Sequence, residues 1–114
     1  MNLRPWELWT ADGKPAPKTP AILTALEAAR KLDPDHPLAN HLYIHAVEAS
    51  PHPEKGDDAA DRLRGAQPAL GHLLHMPSHI DIRRGRWGPA VEANRLAVAA
   101  DRKYQKAVPE QGYY

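Results

Sequence analysis

Twelve prolines in 114 residues limit what this chain can build, because a helix interior loses a hydrogen bond and meets a clash at each one. Their positions turn the limit into a pattern. Pro20 opens PAILTALEAARKLD, Pro37 opens PLANHLYIHAVEAS, Pro53 opens PEKGDDAADRLRGAQ and Pro89 opens PAVEANRLAVAADRKY. Proline suits the first helical turn, where its missing N–H has no intrahelical partner in any case. Pro34, Pro51 and Pro68 follow the ends of helical runs. Within the runs apolar residues recur at helical spacing, as Ile22, Leu23, Leu26 and Ala29, and again as Ala90, Val91, Leu96 and Ala97. Abundant Ala and few β-branched residues lean the same way. The expectation is an all-α chain of about five helices joined by short turns, with no strand. Residues 11–19, ADGKPAPKT, read as a loop, and Pro77 within HLLHMPSHIDIRR either kinks a helix or starts one.

The chain length suits one domain with one modest core. Fifteen basic residues face 14 acidic ones, for a net charge of +1, so neither a nucleic-acid nor a membrane-surface footprint is expected. With no cysteine, any metal site must use histidines and carboxylates. No apolar run approaches a membrane span. The first ten residues, MNLRPWELWT, lack an apolar signal-peptide segment, which makes a cytoplasmic location the default expectation.

A period of 34 residues runs through the sequence. It links Pro34 to Pro68, His41 to His75 and His45 to His79, and spaces the triplets Ala29, Leu63, Ala97 and Ile22, Gly56, Ala90. The stretch RRGRWGPAVEANRLAVAAD carries a Gly turn, an aromatic, two alanines seven apart and a closing acid, at Gly85, Trp87, Ala90, Ala97 and Asp101. That pattern, with LEAARKLDPDHP, resembles the tetratricopeptide repeat over residues 20–104. The central unit departs from it, with Gly56 where an Ala is usual and Leu63 where the second Ala belongs. NHLYIHAVEASPHPE together with GHLLHMPSHI is similar to a stretch inside longer bacterial tetratricopeptide-repeat proteins of unassigned function. The resemblance implies a right-handed α-solenoid of antiparallel helix pairs. It also implies that the chain is an excerpt of a longer array: residues 1–19 hold a remnant helix (Leu3, Trp6, Leu8, Trp9) and a Pro-rich loop, residues 105–114 form a tail, and open repeat ends favour self-association.

Five of the seven histidines fall in HLYIHAVE (41–48) and HLLHMPSHI (72–80). His41, His45 and Glu48 are spaced i, i+4, i+7, and His72, His75 and His79 are spaced i, i+3, i+7, so each set shares one helix face. The resemblance implies that this face lines the concave groove, with Leu42, Ala46, Leu74 and Ile80 turned to the core. Neighbouring helices pack roughly 8–10 Å apart, close enough for two of them to share a metal. The 34-residue offset sets His41 beside His75 and His45 beside His79. His41, His45, His75 and His79 are therefore the expected ligands, with Glu48 as ligand or catalytic base. His72 and Arg83 are expected at the rim, Arg83 one turn beyond His79 where it can hold an anionic substrate or a partner's carboxylate. Imidazole with carboxylate suits Zn, Fe, Mn, Ni or Cu. HLYIH lacks the Glu that follows the first His of zinc proteases, and His45 before Glu48 reverses the Glu-x-x-His of di-iron bundles.

A plainer reading stands beside this one: the histidines are polar groove residues that grip a partner's carboxylates or backbone. His36 and His52 read as turn residues. Asp57, Asp58 and Asp61 complement a helix dipole, Arg83, Arg84 and Arg86 decorate a helix end, and Trp6, Trp9 and Trp87 serve as packing anchors. Ser78 has no nucleophile's partners at a suggestive spacing. The expected function is a binding module that takes a protein, peptide or small ligand in its groove and carries a divalent-metal site there. The alternative is a metal-dependent enzyme, hydrolytic or oxidative, with Glu48 as base to a metal-bound water.

Overall fold

The computed structural model describes residues 7–64 and 70–108. Among these the regular elements are all helical, apart from one isolated bridge between Trp9 and Pro15. Helix α1 spans Thr19–Leu32 and α2 spans Pro37–Val47; a 3-10 turn at Pro53–Gly56 leads into α3, Asp57–Leu63. Helices α4 (Gly71–His75) and α5 (Pro77–Arg83) precede the long α6, Trp87–Ala107. Prolines stand in the first turn of α1, α2, the 3-10 turn and α5, as their fixed φ favours.

Helices α4 and α5 form one broken rod. Met76 between them keeps helical angles, φ −53° and ψ −40°, and its N–H bonds to His72 O at 3.2 Å. Pro77 resolves into a kink, and His72 and His75 stay on helical backbone. Counting that rod once, the described residues form five helices, as the proline pattern predicts. The start of the chain differs from expectation. Leu8 and Trp9 are not helical; Trp9 is bridged to Pro15 and donates its indole N–H to Ala46 O at 2.7 Å, which ties the N-terminal loop to α2. Leu3 and Trp6 lie outside the described residues. Helix α6 continues to Ala107, past the boundary expected at residue 104.

Each helix rests on the ones next in sequence: α1 on α2, α2 on α3, α3 on α5, and α4 with α5 on α6. One core cluster joins Tyr43, Ile44 and Val47 of α2 to Ala59, Ala60 and Leu63 of α3 and to Met76 and Ile80 of the broken rod, with Leu23 and Leu26 of α1 against it. A smaller cluster of Leu74, Ala97 and Ala100 joins α4 to α6. Burying a side chain such as Ile80 or Leu63 contributes about 1.5–3 kcal/mol each. Gly56 is small for a packing reason. A Cβ there would meet Ile80 Cδ1 at 2.6 Å and Val47 Cγ2 at 3.0 Å, so the larger Ile80 takes the space an alanine would need.

Polar groups fasten the helices to one another. Asn40, fully buried, accepts from Arg30 Nε at 2.7 Å and donates to Pro34 O at 2.9 Å, while the Arg30 guanidinium lies 4.6 Å over the Tyr43 ring. Buried Asp81 accepts from Arg64 Nη2 at 2.6 Å. The acidic cluster does more than complement a dipole: Asp57 takes Arg84 and Arg86 from the far end of α5, and Asp58 takes Arg30 of α1. Gly85, at φ +72°, closes α5, with Gly85 N–H bonded to Ile82 O and Arg86 N–H to Asp81 O. Two expected core residues face outward. Leu42 is 43% exposed, and Trp87 is 64% exposed because no described element covers that side of α6. Among the described residues no helix is long and apolar enough to cross a membrane.

Candidate metal centre

The core residues of α2 recur at 43, 44 and 47, which leaves His41, His45 and Glu48 on an adjoining stripe. Met76 and Ile80 do the same for the broken rod, leaving His72, His75 and His79 on the stripe opposite. The five rings meet in a half-buried seam. Ring centroids lie 5.0 Å apart for His41 and His45, 4.8 Å for His41 and His72, 5.4 Å for His45 and His79, and 4.7 Å for His75 and His79. One ligand atom from each of His41, His45 and His72 lies within 4.8 Å of the other two, which is close enough for the three to hold a metal ion.

The pairing differs from the one the 34-residue offset predicts. His45 does lie beside His79, but the neighbour of His41 is His72, with Nε2 to Nε2 at 3.2 Å, and not His75. His72 thus sits inside the cluster instead of at its rim. The reason is interdigitation: a side chain from one helix enters between two from the next, one turn apart. Offsets of 31 and 34 residues therefore both give contacts, and a sequence period predicts only one of them. Arg83 is exposed and forms no ion pair among the described residues.

Glu48 spans the seam. Its Oε1 lies 3.1 Å from His45 Nδ1 and its Oε2 2.7 Å from His79 Nδ1. Both oxygens are engaged by imidazole N–H groups, so the carboxylate orients two rings from two helices. Its place in the chain is otherwise unfavourable, because it caps the C-terminal end of α2, where the helix dipole repels an anion. Burial works to raise the Glu48 pKa, but the hydrogen bonds from His45 and His79, with the electrostatic pull of those rings, prevail and hold it down to about 2. His75 is pinned from the other side, its Nδ1 2.6 Å from Asn94 Oδ1 of α6, with Ser78 Oγ 3.3 Å away.

Two histidines resist protonation. Burial, then the proximity of His45, His72 and His79, lowers the His41 pKa to about 4. Burial and the neighbouring rings also lower that of His72, against an opposing pull from Asp101. At neutral pH both present lone pairs, the form a metal requires. In the sequence Asn94 belongs to no motif, and Asp101 reads as the acid that closes a repeat. Asn94 had a partial signal, as a polar residue set between the buried alanines Ala93 and Ala97.

No protein-family model matches the chain, and neither does any curated protein or solved structure.

Proposed function

We propose that the chain is a binding module of the tetratricopeptide-repeat kind, a right-handed solenoid whose groove holds a divalent transition metal and takes a protein, peptide or small ligand. The observation that carries the metal is the convergence of His41, His45 and His72 from two helices. Support comes from the chemistry around them. Low proton affinity leaves His41 and His72 ready to ligate, and Glu48 fixes His45 through Nδ1, so that Nε2 serves as its ligand atom. An all-imidazole set suits zinc, copper or nickel better than manganese.

An enzyme is the second reading, favoured by one feature: three protein ligands leave a metal position for water or substrate. Against it, both oxygens of Glu48 are already engaged, so the base that reading assigned is occupied. Elemental analysis of the purified, untagged protein beside a His41→Ala, His72→Ala double variant tests the metal. At least one zinc, copper or nickel per chain, and one fewer in the variant, is the expected result. No metal in either protein, after incubation with Zn, Cu, Ni, Fe and Mn, would return the histidines to the role of groove-lining polar residues.

A further inference from the structure

His75 and His79 remain outside the three-histidine set, yet their ring centroids lie only 4.7 Å apart. Their Nε2 atoms face each other at 2.9 Å. Each ring is held from behind, His75 through Nδ1 to Asn94 Oδ1 at 2.6 Å and His79 through Nδ1 to Glu48 Oε2 at 2.7 Å. An acceptor at Nδ1 places the imidazole proton there, and the Nε2 that remains is a bare lone pair. Two such lone pairs at 2.9 Å repel unless a metal ion or a shared proton stands between them. Cis nitrogens about 2.0–2.1 Å from a metal lie roughly 2.9 Å apart at a right angle and roughly 3.3 Å apart at the tetrahedral angle. The His75–His79 edge matches the first figure, and the His41–His72 edge of 3.2 Å falls near the second.

We infer that the seam is built for two metal ions, one held by His41, His45 and His72 and a second by His75 and His79. This rests on the metal reading above and extends it. The second ion has two protein ligands, so water or a small oxygen-donor anion completes its shell and makes it the exchangeable position. The backing groups are part of the site: an acceptor behind a ligating imidazole fixes its tautomer and orientation, and its loss costs about 10–100-fold in affinity. With the Asn94 amide turned the other way, His75 would donate through Nε2 to His79. A chain satisfied in that way takes no second ion, and titration separates the two arrangements.

The test is a titration of the chelator-treated full chain with Co²⁺, following absorbance and calorimetry, on the wild type and on three variants. Expected are two Co²⁺ per chain in the wild type and one in His75→Gln, His79→Gln. Asn94→Ala is expected to weaken only the second step, by 10-fold or more. Asn94→Ala also carries the test if the double variant does not fold. One ion in the wild type, unchanged in the double variant and in Asn94→Ala, overturns the second position and leaves the first standing. No ion at all overturns both. A single ion lost on substituting His75 and His79 but kept in His41→Gln, His72→Gln overturns the two-ion seam and moves the one real site.

Discussion

Glu48 and His79 stand 31 residues apart in sequence and 2.7 Å apart in space, Oε2 against Nδ1, across the seam between α2 and α5. The same carboxylate reaches His45 on its own helix, so one side chain sets the orientation of rings on both walls. Replacing Glu48 by Gln keeps the shape and removes the charge. Zinc affinity, measured by competition with a chromophoric chelator, should fall about 10–100-fold while the helical content holds. Unchanged affinity would mean that Glu48 serves packing alone.

The metal-free fold should weaken in acid, through His41, His72 and Glu48. Above pH 6.5, the ordinary value for His41, its imidazole is neutral in folded and unfolded chains alike and adds no slope. Between 6.5 and about 4 the unfolded chain takes up a proton that the folded chain refuses, so stability falls with pH. Glu48, held at about 2 against an ordinary 4.5, adds a further loss between those values, where the unfolded carboxylate is protonated and the folded one is not. Urea midpoints recorded from pH 8 to 4 should decline, and His41→Gln should flatten the upper part of that decline.

Arg64 supplies the hydrogen bond to buried Asp81. Arg64→Ala leaves that carboxylate in the core without its partner and should cost about 2–3 kcal/mol in urea unfolding. Adding Asp81→Leu should recover part of the loss, because the uncompensated charge, more than the lost bond, is the source of the cost. A double variant as unstable as the single one would contradict this account.

Two glycines should refuse a methyl group. At Gly56 a Cβ meets Ile80, and at Gly71 it meets the Asp101 carboxylate and Ala97 O. Gly56→Ala should cost about 1–3 kcal/mol with little effect on metal affinity. Gly71→Ala should push α4 away from α6 and carry His72 with it, so its mark is weaker zinc binding as well as lower stability. Equal metal affinity in the two variants would show that α4 does not position the seam.

The helices follow from local chemistry along the chain. Prolines at 20, 37, 53 and 77 lie in first turns because their fixed φ and missing N–H permit little else, and that constraint is local. The sequence also places the histidines in two stripes, since i, i+3, i+4 and i+7 share a face in any α-helix. Tertiary structure alone decided which stripe residues meet. A slip of one turn exchanges His75 for His72 as the partner of His41 without disturbing either helix, and only the meshing of Ile44, Val47 and Leu63 with Met76 and Ile80 selects the register. Asn94 enters from a third helix, through contacts that no spacing within one segment encodes. Trp87 faces solvent for the same kind of reason, because exposure depends on what a neighbouring element covers and a side chain's own hydrophobicity does not specify that neighbour.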